Sequence, residues 1–80
     1  MAELFEIPPL EIGLYEHYKG NRYRVLGVGR HTEADEYLVV YSPVEQVSGK
    51  PAIWLRPYDM FIETVEANGE VIPRFRKIKE

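Results

Sequence analysis

From Gly13 onward, glycine, asparagine and proline cut the chain into short aromatic and β-branched runs, and this punctuation leaves no room for a long helix. Such runs fit strands joined by turns. Branched and aromatic side chains pack well on a pleated surface, while Gly, Asn and Pro supply the turn conformations. The pattern predicts strands at about 14–18, 22–30, 36–42, 52–56, 61–66 and 70–75.

Asn68-Gly69 gives the firmest turn, because both central residues of a type I′ hairpin need positive φ. A two-residue loop there sets Val65 opposite Ile72 and Glu63 opposite Arg74. It also places Pro73, which has no N–H, on an unpaired edge. Lys19-Gly20-Asn21 predicts a second tight hairpin. The run Tyr37 to Tyr41 is apolar on both alternating faces and reads as a central strand with its tyrosine hydroxyls at the rim. In the preceding run the apolar positions shift phase from Tyr23 and Val25 to Leu26 and Val28, and Gly27 and Gly29 mark a bulge or sharp bend that helps a short sheet curl.

These short strands, little helix and one coiled loop from Pro43 to Pro51 predict a mainly β fold. A small Src-homology-3-like β-barrel of five or six strands suits 80 residues better than an OB barrel does. Residues 1–12, interrupted by Pro8-Pro9, read as an N-terminal arm; residues 13–76 as the single barrel domain; residues 77–80 as a basic C-terminal tail. With no cysteine, the chain has no disulfides, thiolate metal sites or cysteine nucleophile, which fits a reducing cytoplasm. The acidic start lacks the positive charge of a secretory signal, and no apolar run approaches the length of a membrane span. A net charge of −3 argues against general nucleic-acid binding, which needs a positive field.

The densest polar group is Arg30-His31-Thr32-Glu33-Ala34-Asp35-Glu36. His31 is either a proton carrier oriented by Glu33 or Glu36, or a turn residue bonded to the local backbone. Two histidines, His17 and His31, are too few for a compact metal site, so neither a metal nor another cofactor is expected. Ser42, Ser48, Thr32 and Thr64 lie in no recognisable nucleophile motif. Gly27-Val28-Gly29 lacks the third glycine and the following helix of a dinucleotide loop.

Tyrosines outnumber phenylalanines six to three, a bias toward groups lying half in the core and half at a rim. Such a rim could receive a peptide, a base or a cation; equally, large aromatics could simply fill a small core. Trp54 and Arg56, two apart on one strand, point to the same face and could together grip an anionic or aromatic ligand. Arg56 could instead pair with Glu63 or Asp59, and Arg74, Arg76, Lys77 and Lys79 read as a solvated C-terminal edge.

These blocks resemble a small bacterial and phage family, the domain of unknown function 1653. The likeness runs over about residues 13–75. It lies in Gly13-x-Tyr15-x-His17-Tyr18-Lys19-Gly20, Tyr23-x-Val25, His31-Thr32-Glu33 with Glu36, and Val39-Val40-Tyr41. It continues in Trp54-x-Arg56-Pro57, Phe61-x-Glu63-x-Val65 and Pro73-Arg74-Phe75. The resemblance implies a Src-homology-3-like barrel, usually a stand-alone cytoplasmic protein, with no established activity. It also makes His17, Lys19, His31, Glu33, Arg56 and Arg74 candidates for a shared polar surface, with Gly20 and Pro57 serving turns and packing.

The leading expectation is a non-enzymatic interaction module, monomeric or weakly dimeric, whose aromatic rim binds a protein or peptide. Its candidate surface comprises His17, Lys19, His31, Glu33, Trp54, Arg56 and Arg74. The alternative is single-stranded nucleic acid or a nucleotide held by Arg22, Arg24, Arg30, Arg56 and Arg74 with bases stacked on aromatics. A small hydrolase using His31 with Glu33 or Glu36 ranks third.

Overall fold

The computed structural model describes residues 9–45 and 52–79. Its elements, in chain order, are β1 (Gly13–His17), β2 (Arg22–His31), β3 (Glu36–Pro43), β4 (Trp54–Pro57), α1 (Tyr58–Ile62), β5 (Thr64–Ala67), β6 (Glu70–Pro73) and β7 (Phe75–Lys77). Five strands form an antiparallel sheet in the order β4-β3-β2-β1-β7, and β5 and β6 form a separate hairpin. The fold is mainly β, as expected. Among the described residues the ladder does not close into the expected barrel: β4 and β7 are its two edges.

The turn chemistry places the hairpins where the sequence predicts them. Asn68 and Gly69 have φ of 54° and 78°, and the β5–β6 register sets Val65 opposite Ile72. The Arg74 amide donates to the Glu63 carbonyl at 3.0 Å, extending that register by one pair. Gly20, with φ of 111°, turns β1 into β2 and donates its amide to the His17 carbonyl at 2.7 Å. The β2–β3 register shifts between Val25 and Gly27, so Leu26 is the extra residue of a bulge. Val25 is therefore buried and Leu26 exposed, which accounts for the phase change in the sequence.

Three local predictions are corrected. The fourth strand begins at Trp54 and ends at Pro57 rather than covering 52–56. Phe61 and Ile62, read as the start of a strand, belong to the five-residue helix α1, which follows Pro57 and has Asp59 in its first turn. An acid there suits the helix dipole, and the single turn carries Phe61 down into the core. The run 70–75 is two strands, since the β5–β6 ladder ends at Pro73 and Phe75 crosses to pair with His17 at the edge of the main sheet.

By strand alternation and register, the inner face of the sheet carries Tyr15, His17, Tyr23, Val25, Val39, Tyr41, Trp54, Arg56 and Phe75. The core is Tyr15, Val25, Val39, Tyr41, Phe61 and Phe75, with Leu10, Tyr23 and Tyr58 packed against it. Segment 9–12 is tied down: Tyr15 donates its hydroxyl hydrogen to the Glu11 carbonyl at 2.7 Å, and Tyr58 donates to the Pro9 carbonyl at 3.3 Å. Residues 1–8 of the expected arm, and most of the Pro43–Pro51 loop, lie outside the described residues. At the other end, β7 runs through Lys77 and the Ile78 amide donates to the Leu14 carbonyl at 2.8 Å.

Candidate functional site

Part of the aromatic set fills the core. Tyr15, Tyr41, Phe61 and Phe75 are buried and meet in edge-to-face or stacked pairs. The rim is the exposed end of this network. There Trp54, 43% exposed, packs against Tyr23 at 5.7 Å and Tyr41 at 5.9 Å between ring centroids.

Arg56 shares a face with Trp54, as the alternation predicts. Its Nε donates to the Tyr41 hydroxyl at 3.1 Å, and its guanidinium carbon lies 5.5 Å from the Phe75 ring centroid. The expected partners of Arg56 are not the observed ones: Glu63 pairs with Arg74 across the hairpin. Among the described residues no carboxylate pairs with Arg56. By contrast, Arg22 and Arg76 share Glu16, Arg30 holds Asp35, and Arg74 holds Glu63.

His17, at the end of β1, sets its ring against Phe75 at 4.9 Å and Tyr18 at 4.6 Å. Its Nδ1 accepts the Lys19 amide hydrogen at 3.1 Å, so a neutral ring carries its proton on Nε2. Burial, and then the charges of Arg74, Arg56 and Lys19, hold its pKa below the ordinary 6.5. Lys19 Nζ sits 5.8 Å from the Tyr18 ring centroid. Arg74 Nε is buried with no hydrogen-bond acceptor among the described residues. An open groove of about 390 Å³ passes beside this group, bordered by His17, Tyr18, Lys19, Ile72, Pro73 and Arg76.

Phe75 thus gathers His17 and Arg56, with Arg74 adjacent in sequence, while Trp54 stands beside Arg56 on β4. His31 and Glu33 fall elsewhere, at the β2–β3 turn, on the order of 25 Å along β2 from Tyr23. There His31 is exposed and its Nδ1 accepts the Ala34 amide hydrogen at 3.1 Å. Arg30 binds Asp35 across the same turn. Sequence reasoning missed Phe75 as the platform, because its position depends on β7 leaving the hairpin for the main sheet. It also missed Tyr18, whose ring covers His17 from the following turn.

Among the described residues there is no helix long and apolar enough to cross a membrane and no group of three or more metal-ligating side chains. No curated protein matches the chain. The crystal structure of a protein belonging to DUF1653 from Bordetella bronchiseptica superposes with a TM-score of 0.77 at 36% sequence identity, covering 86% of this chain and 87% of that one. The family profile described as "Protein of unknown function (DUF1653)" matches residues 13–77, the whole span from β1 to β7. On that match, and on the shared architecture, the chain belongs to the DUF1653 family, whose function is unknown.

Proposed function

We propose that this chain is a non-enzymatic recognition module of the cytoplasm, acting as a monomer or weak homodimer. Its partner is a protein or peptide segment that brings an acidic group to Arg56 and an apolar group to Trp54. The curled sheet and its separate hairpin are read as an open variant of the Src-homology-3-like barrel, a scaffold small enough to present one such surface.

The observation that carries this reading is the state of Arg56. Its guanidinium is held in place by a hydroxyl and a ring face instead of a carboxylate. Such a cation is oriented in advance and keeps donors for a ligand, so binding an acid orders little that is not already ordered. Trp54 beside it supplies exposed aromatic area, the commonest anchor at interfaces. The arginine surface needed for nucleic acid is divided: Arg22, Arg30 and Arg74 hold carboxylates, and Arg30 lies at the distant turn.

The test is capture on the immobilised chain at low and high salt, comparing the wild type with Trp54→Ala and Arg56→Ala after circular dichroism shows both folded. A protein retained by the wild type and lost by both variants supports the reading. Equal retention by the variants overturns it, as does retention of nucleic acid alone with a steep loss in salt.

A further inference from the structure

The two edges of the main sheet differ in a way that bears on how a partner would dock. Strand edges offer unpaired backbone groups, and proteins usually blunt them with charged residues, lysine above all. The β7 edge follows that rule with Arg76 and Lys77, both exposed. The β4 edge does not. Trp54 and Leu55 are exposed on it, and Ile53, immediately before it, is exposed to the same degree as Leu55, 59%. Its single charge, Arg56, is half-buried on the inner face, and Pro57 blunts only its last position. Among the described residues no strand pairs with the outer side of β4.

We infer that the partner docks as an extended peptide added antiparallel to β4, presenting in chain order an acidic, an apolar and a second apolar residue opposite Arg56, Leu55 and Trp54. This rests on the reading of Trp54 and Arg56 as the recognition surface, and adds the binding mode and the peptide chemistry. An added strand gains affinity from main-chain hydrogen bonds and specificity from alternate side chains. The alternation of β4 fixes that specificity. Residues two apart on the peptide meet Arg56 and Trp54 on the inner face, and the one between them meets Leu55 on the outer face. The position beside Arg56 takes an acid because that cation has no carboxylate among the described residues and its Nε and ring-face contacts leave its terminal nitrogens as donors. The position beside Leu55 is apolar because Leu55 and Ile53 leave that side of the edge without charge.

The test titrates the full ¹⁵N-labelled chain with a blocked heptapeptide, Ser-Thr-Glu-Val-Leu-Thr-Ser. Two derivatives accompany it, one with Glu replaced by Gln and one N-methylated at alternate backbone positions. The expected result is shifted amide signals over 53–56 and a weakening of about tenfold or more with either derivative, the size of one charge-assisted or a few backbone hydrogen bonds. Binding that N-methylation leaves unchanged overturns strand addition while the peptide-recognition reading stands. No binding of the parent peptide at about 1 mM also overturns this inference. The capture experiment then decides the broader reading independently, through its own dependence on Trp54 and Arg56.

Discussion

The ring of Phe61 lies parallel to that of Phe75, with 4.1 Å between centroids and 5° between planes. One ring comes from the single turn of α1 and the other from the edge strand β7, so this stack joins the helix to the sheet. Both rings are buried, and Tyr41 meets each of them edge-on. Phe61→Ala therefore opens a cavity in this small core and is expected to cost about 3–5 kcal/mol. A domain this small has a total stability of roughly 5–15 kcal/mol, so the variant is expected to approach the threshold of unfolding. Urea unfolding followed by tyrosine and tryptophan fluorescence checks it, and a loss below about 1 kcal/mol would contradict the central place given to this stack.

Gly20 and Gly27 make opposite predictions although the sequence marks both as special. A Cβ on either meets nothing within 4 Å among the described residues, so sterics with them do not distinguish the two. Backbone conformation does: Gly20 has φ of 111°, which side-chain-bearing residues rarely adopt, while Gly27 lies outside the positive-φ region. Gly20→Ala is expected to destabilise by about 1–3 kcal/mol. Gly27→Ala is expected to be neutral or stabilising by up to about 1 kcal/mol, through reduced freedom of the unfolded chain. Urea midpoints of the two variants decide the matter, and equal losses would count against the argument.

The same pair shows what could be read from the sequence. Turns written in Gly and Asn are local, and the β5–β6 register followed from two residues, as did the bulge from the phase change around Leu26. Trp54 and Arg56 shared a face because the side-chain period of a strand is two. What remained hidden depends on long-range competition. The run 70–75 reads as one strand, and only the pull of Phe75 into the core, with the break at Pro73, divides it. Closure of the sheet was beyond local pattern for the same reason, because it depends on where β7 pairs.

His17 predicts a pH effect whose sign follows from its surroundings. Burial and the charges of Arg74, Arg56 and Lys19 hold its folded pKa below 6.5. As pH falls through 6.5 the unfolded chain takes up a proton that the folded chain resists, so His17 lowers stability progressively until the folded pKa is passed. Above the ordinary pKa it contributes nothing to the pH dependence. Protonation of Nδ1 also removes the acceptor of the Lys19 amide. The expected outcome is that, between pH 7.5 and 5.5, the urea midpoint of wild type falls more than that of His17→Gln. Parallel curves for the two proteins would refute this.

Replacing Tyr41 by Phe separates packing from orientation at the candidate site. The ring stays in the core, while the hydroxyl that accepts from Arg56 Nε is removed. Loss of one such bond to a charged donor is expected to cost about 1–2 kcal/mol in stability. A larger relative effect is expected on partner binding, because the guanidinium then loses its hydroxyl acceptor and keeps, of these two contacts, the Phe75 ring. Stability is read by urea unfolding and binding by the capture assay. Unchanged capture by Tyr41→Phe would mean that the hydroxyl contributes nothing to the readiness of Arg56.

Glu63 and Arg74 close the hairpin, and removing either partner should not be equivalent. The pair is partly exposed, so the bond itself is worth about 1–2 kcal/mol, between an exposed ion pair and a buried charge-assisted bond. Arg74→Met forfeits that bond, but it also removes the buried Nε that has no acceptor among the described residues and one of the charges that depress the His17 pKa. Glu63→Ala forfeits the same bond and leaves Arg74 unpaired among cations, with its Nε still unsatisfied. The larger loss is therefore expected for Glu63→Ala, and the His17 pKa, followed by NMR, should rise in Arg74→Met. A double-mutant cycle gives the coupling energy. An Arg74→Met variant at least as destabilised as Glu63→Ala would show that the orphaned Nε carries no penalty.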